Sequence, residues 1–202
     1  MIDTTSPMRW GRHRISDFRN YGPEQTVTNV IVKSSNVGTA RIALQIGAER
    51  QKSFLQSLGF MEPTALEIAE APGIKPLYPQ KNWPEISTMT ISYGHGLSAS
   101  PLHLSAAYAS LLNGGTKVTP TILRNPYPQP GERILSEKTS AIARSMLREV
   151  VQHGTATLGD VEGYAVAGKT GTADKPRRDG RGYYDDKVIT TFASVFPAHD
   201  PK

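Results

Sequence analysis

Apolar residues recur at helical spacing in several stretches of the chain. Val37, Ala40, Leu44 and Ile46 form one such stripe, and Gly47 supplies a stop. A second short helix is expected over 48–58, with Phe54, Leu55 and Leu58 inward and Gly59 as cap. Ser100 and Pro101 open a third: a hydroxyl caps it, and a proline in the first turn needs no N–H. Its inward residues are Leu104, Tyr108 and Leu111 or Leu112, and it stops at Gly114-Gly115. The clearest stripe follows Ser136, through Ile142, Ala143, Met146, Leu147, Val150 and Val151. His153 and Gly154 sit where a helix C-terminus prefers them.

The remaining stretches carry other patterns. An apolar run, Val27 to Val32, leads to Lys33-Ser34-Ser35-Asn36. Val118 to Leu123, Tyr164 to Ala167 and Ile189 to Phe196 read as strands. A polar segment, Asp174 to Lys187, joins the last two and predicts that they pair antiparallel. Residues 1–25 are polar and turn-rich. Between 61 and 92 lie Pro63, Pro72, Pro76, Pro79 and Pro84, so an extended excursion with short strand pieces is expected there. Central helices with strands towards the end imply an α+β layout in a single 202-residue unit.

Composition narrows the function. The net charge is +5. The densest basic cluster, Lys175, Arg177, Arg178 and Arg181, is broken by Asp174, Asp179, Asp185 and Asp186. That is the pattern of a solvated loop and argues against nucleic acid as a partner. There is no cysteine, so disulfides and thiolate metal sites are excluded. His95 and His103 have no third ligand at a useful spacing, so no metal is expected. No cofactor is implied. No run reaches the roughly 18 apolar residues of a membrane span, and the first residues do not resemble a signal peptide.

Residues 163–170, GYAVAGKT, match the phosphate-loop pattern literally. A phosphate loop follows a buried strand and opens a helix. Here TATLGDVE precedes it, and the following residues carry Pro176, Gly180 and Gly182. Nucleotide binding is therefore a remote alternative. Lys169-Thr170-Gly171-Thr172 also fits the K-T-G element that accompanies S-x-x-K and an S-x-N type element in β-lactamases and penicillin-binding proteins. Acyl transfer on a D-Ala-D-Ala stem needs a cation beside the substrate carboxylate, which Lys169 supplies. Thr170 and Thr172 add hydroxyls, and Gly171 lets a substrate backbone lie close. Ser34-Ser35-Asn36 fits S-x-N, 135 positions earlier. Ser34 could relay a proton there and the Asn36 amide could hold substrate; in isolation S-x-N reads first as a helix cap.

Three blocks in order, SSNVGTARIALQIG, YGHGLSASPLHLSAAYASLLNGG and VAGKTGTADKP, closely resemble class B penicillin-binding proteins. These are the division-specific peptidoglycan D,D-transpeptidases. The GRHRISDF stretch resembles what precedes S-x-N in that family. The resemblance implies the penicillin-binding transpeptidase or serine β-lactamase-like fold. It implies cross-linking of stem peptides through an acyl-serine, inhibition by β-lactam antibiotics, and divisome proteins as partners of a full-length parent. It also implies the periplasmic face of the bacterial inner membrane. By resemblance, Lys169, Thr170 and Thr172 face the substrate carboxylate, while Ser34 and Asn36 face the nucleophile.

One departure matters. No serine here is followed three positions later by lysine; Ser34 is followed by Val37, Ser35 by Gly38, Ser105 by Tyr108 and Ser136 by Thr139. The expectation is thus a partial domain over 1–202, holding the helical part and part of the antiparallel sheet. It would lack the upstream S-x-x-K segment and the closing C-terminal elements, and alone it would be inactive. A wall left open by that helix should expose apolar surface from Val37, Ala40 and Leu44 or their neighbours. The alternative from another class is a non-catalytic peptidoglycan or divisome binding module.

Overall fold

Four hydroxyls start four of the helices. In a computed structural model, which describes residues 1–177 and 182–201, Thr26 caps α1 (Val27–Val32) and Ser35 caps α2 (Asn36–Ile46). Ser100 caps α5 (Pro101–Leu112) and Ser136 caps α6 (Glu137–His153). Each side-chain oxygen accepts an N–H that the first helical turn leaves without a partner. Between them lie α3 (Ala48–Ser57) and α4 (Glu85–Ser92).

The apolar stripes make two cores. Val37 and Ala40 of α2 pack with Met89 of α4 and with Met8 and Ile15. The last two come from a hairpin of β2 (Met8–Trp10) and β3 (His13–Ile15). β1 (Ile2–Asp3) pairs with β4 (Glu24–Gln25) beside it. In the second core, Val32 at the end of α1 meets Val150 and Val151 of α6 and Ala156 just beyond. α6 also packs on β5 (Ala167–Pro176), which pairs antiparallel with β6 (Tyr183–Val195). Arg148 of α6 reaches the Asp160 carboxylate at 2.7 Å and the Val166 carbonyl at 2.8 Å, tying the helix to the run into β5.

The expected antiparallel hairpin is present, but its first strand begins at Ala167, Tyr164 making only an isolated bridge to Val161, and both strands run further into the polar segment. Ala167 lies opposite Val195 and Asp174 opposite Val188, so much of the supposed joining loop is strand. The loop expected around Arg178, Asp179 and Arg181 falls outside the described residues.

The apolar run Val27 to Val32, to which the pattern alone assigns no element, is helical, with Val30 and Val32 buried. Several other expectations are corrected. α4 lies inside the segment expected to be extended. Pro84 sits just before its first turn, where it breaks nothing, and Ile86, Met89 and Tyr93 follow at helical spacing. Val118 to Leu123 forms no strand; Pro120 interrupts it, and only a single bridge, Thr116 to Arg133, lies nearby. Phe54 and Ile142 are exposed rather than inward. Val37 and Ala40 are 0% exposed, so the open wall is not theirs. Exposed apolar residues lie instead on and just past β6, including Val188, Ile189, Phe192 and Phe196.

Candidate active site

The S-x-N turn is built from two sides. α1 ends at Val32, and Ser34 takes φ 56°, a left-handed conformation that serine seldom adopts. That turn lets α2 begin at once, with Ser35 buried beneath it. From the other side, Asp17 arrives on the segment after β3. The Ser35 hydroxyl donates to one Asp17 carboxylate oxygen at 2.8 Å and the Val37 N–H donates to the other at 3.0 Å. Ser35 in turn accepts from the Gly38 N–H at 2.9 Å. An anion at a helix N-terminus is favoured by the dipole as well as by these bonds. Asp17 therefore holds Ser34 by holding its neighbour.

The second half comes from β5. Lys169 Nζ donates to Ser34 Oγ at 2.8 Å and to the Thr170 carbonyl at 2.8 Å. Two residues 135 positions apart thus share one hydrogen bond. Burial pushes the Lys169 pKa below its ordinary 10.5, since the charged form loses hydration. Because Lys169 donates, the Ser34 hydroxyl proton remains available to the groove.

The other expected residues are placed as follows. Asn36 lies in the first turn of α2, and one of its amide N–H groups donates to the Ser16 carbonyl at 3.1 Å. Its remaining N–H and its oxygen are not engaged by that bond. Thr170 Oγ1 lies 2.7 Å from Thr155 Oγ1. Thr172 is exposed further along the strand, opposite Thr190. Gly171 has a local reason for lacking a side chain: a Cβ there would come within 2.6 Å of the Thr191 hydroxyl oxygen on β6. Strand alternation puts Lys169 and Thr170 on opposite faces of β5. What they share is the strand's other edge, which no described strand pairs. A cation, hydroxyls and free main-chain groups along one edge can hold the carboxylate of an extended peptide.

The sequence-level expectation missed Asp17 and Thr155. Asp17 falls in the GRHRISDF stretch but received no role there, and Thr155 lies in no recognised element; each works through a partner at least fifteen residues away. His103 is buried, with Nδ1 2.7 Å from Ser100 Oγ and Nε2 3.0 Å from the Glu62 carbonyl, so both nitrogens are occupied by structure. His95 packs its ring against Tyr93 and against Tyr183 of β6, joining the YGHG segment to the hairpin. Residues 163–170 do not form a phosphate loop, because a strand and not a helix follows them. A cavity of about 590 Å³ lies between α5 and β6, lined by Leu104, Tyr108, Phe192 and Phe196, and its lining includes none of Ser34, Asn36, Lys169, Thr170, Gly171 and Thr172.

The sequence pattern of the penicillin binding protein transpeptidase domain matches residues 2–202. The chain belongs to the penicillin-binding transpeptidase family. It is 35% identical over 206 residues to the probable peptidoglycan D,D-transpeptidase FtsI of Caulobacter vibrioides, covering 99% of this chain and 34% of that protein. It is 36% identical over 201 residues to the peptidoglycan D,D-transpeptidase FtsI of Escherichia coli K12, covering 98% and 33%. The chain thus spans about a third of the curated transpeptidases it matches. Among solved structures it resembles penicillin-binding protein 3 of Mycobacterium tuberculosis in complex with ampicillin, with TM-score 0.88 and 29% identity, covering 100% of this chain and 48% of that one. It also resembles the apo transpeptidase domain of penicillin-binding protein 3 from Burkholderia pseudomallei, with TM-score 0.87 and 34% identity, covering 96% and 59%. The mixed helix-and-sheet fold expected from the sequence is that of these transpeptidases.

Proposed function

We propose that this chain carries the carboxylate-recognising side of a peptidoglycan D,D-transpeptidase site used in septal cell-wall synthesis. The observation that supports it most is the 2.8 Å bond from Lys169 to Ser34, which joins the K-T-G strand to the S-x-N turn. In the transpeptidation reaction a nucleophilic serine attacks the penultimate carbonyl of a D-Ala-D-Ala stem, and the terminal D-alanine leaves as an amine. Lys169, Thr170 and Thr172 fix the terminal carboxylate. Ser34 passes a proton between nucleophile and leaving amine. The free Asn36 amide atoms hold the peptide backbone, and Gly171 keeps the strand edge low. β-Lactams enter the same groove because they present a carboxylate beside a strained amide. The partners on this account are stem peptides, β-lactam antibiotics and, in a longer protein, divisome proteins at the periplasmic face of the inner membrane.

No S-x-x-K occurs in these 202 residues, and a hydroxyl without an activating base is a poor nucleophile. The isolated chain is therefore expected to bind benzylpenicillin reversibly and to form no acyl adduct. Equilibrium dialysis and intact-mass spectrometry read the two halves of that statement. Lys169→Ala should weaken binding about ten- to a hundredfold, the usual worth of a charge-assisted hydrogen bond. A stoichiometric adduct would show that Ser34 or Ser35 is itself the nucleophile. Binding that ignores Lys169→Ala would remove the strand from the site. Binding of acyl-D-Ala-D-Ala with no adduct is equally what a non-catalytic peptidoglycan-binding module would show, and the presence of S-x-x-K in the gene around this segment separates the two.

A further inference from the structure

We propose that Thr155 is a positioning residue for carboxylate recognition: its hydroxyl donates to Thr170 Oγ1 and thereby turns the Thr170 proton towards the groove. The inference rests on the carboxylate-binding function above and extends it to a residue outside the S-x-N and K-T-G elements.

The loop that carries Thr155 is pinned on both sides. α6 ends at His153, and Gly154 follows. A Cβ on Gly154 would collide with the Val32 carbonyl oxygen and crowd the Val150 carbonyl, so the chain here lies flush against the end of α1. Ala156, on the other side, is 4% exposed and packs with Val32, Val150 and Val151. Thr155 stands between these two anchors and reaches β5, where its Oγ1 lies 2.7 Å from that of Thr170. Val32 is two residues from Ser34, so one seam positions both the S-x-N turn and this hydroxyl pair.

The chemistry selects a direction. Either hydroxyl can be the donor at this distance. A hydroxyl has one proton and two lone pairs, and an ionised carboxylate only accepts. If Thr170 gave its proton to Thr155, lone pairs would face the substrate carboxylate and repel it. If Thr155 donates, the Thr170 proton is left for the carboxylate, and the bond it has accepted polarises it further. A bound carboxylate therefore stabilises the second arrangement. Serine at 155 preserves this relay and valine, of the same shape, removes it.

The test measures affinity of the whole chain for an acyl-D-Ala-D-Ala peptide and for the same peptide ending in D-alaninamide. Thr155→Val should weaken binding of the free acid about fivefold, the worth of one net hydrogen bond, and leave the amide nearly unchanged. Thr155→Ser should restore the acid affinity. In a Thr170→Val background, Thr155→Val should have no further effect. Thermal melting should be the same for all variants at 155, since that side chain is exposed. An equal loss for acid and amide, or an undiminished acid preference in Thr155→Val, overturns the role of Thr155 while leaving the site intact. Failure of the unsubstituted chain to bind the acid at all overturns the carboxylate site, and this role with it.

Discussion

Lys169 is asked to be charged in a place that disfavours charge. Burial lowers its pKa, and a bound carboxylate must raise it again. Affinity for acyl-D-Ala-D-Ala should therefore fall as pH rises, with the fall beginning below the 10.5 of an ordinary lysine. Stability moves the other way. The unfolded chain binds more protons at this group than the folded one, between the lowered folded value and 10.5. The free energy of unfolding should rise with pH across that window, relative to a Lys169→Met variant. Urea titrations at several pH values check the sign; a loss of stability there would mean that the Ser34 contact outweighs desolvation. Ser34 and Lys169 were legible in the sequence because their residue types and spacing belong to recognisable elements. Asp17 and Thr155 were not, since a carboxylate bonded to Ser35 and a hydroxyl bonded to Thr170 look like surface residues until the chain is folded.

Elements were legible where a cap and a stripe agreed. Ser136 before α6, and Ser100-Pro101 before α5, announce both helices. α4 was hidden because prolines dominate its neighbourhood and Thr and Ile are common in strands; packing of Met89 against α2 decides in favour of helix. Ser136→Ala should cost about 1 kcal/mol, measured by denaturant unfolding with an unchanged slope. Gly154→Ala should cost more, about 1–3 kcal/mol, because a methyl group must push the end of α6 away from the Val32 carbonyl. It should also weaken ligand binding, since the same seam carries Thr155. A Gly154→Ala chain as stable as the parent would mean that the seam can open without loss.

At the scale of the whole molecule, the sequence anticipated an open apolar wall around Val37 and Ala40, which are buried. α2 is covered by the hairpin of β2 and β3, whose short strands leave almost no periodic signal in the sequence. The exposed apolar surface lies on β6. From Val188 to Val195 that strand has no charge, and its second edge pairs with no described strand. Such an edge is a template for pairing with another chain. The isolated chain should self-associate with rising concentration, and Ile189→Lys should shift sedimentation profiles towards monomer. Unchanged sedimentation would place the contact elsewhere.

The central claim is that Ser34, Asn36 and the Lys169 to Thr172 strand form one groove for a peptide carboxylate. An NMR titration of the labelled chain with acyl-D-Ala-D-Ala tests it most directly. The expected result is saturable shifts concentrated at Ser34, Asn36 and Lys169 to Thr172, abolished by Lys169→Ala. Shifts confined to the cavity between α5 and β6, around Tyr108 and Phe192, or shifts that survive Lys169→Ala, would contradict it.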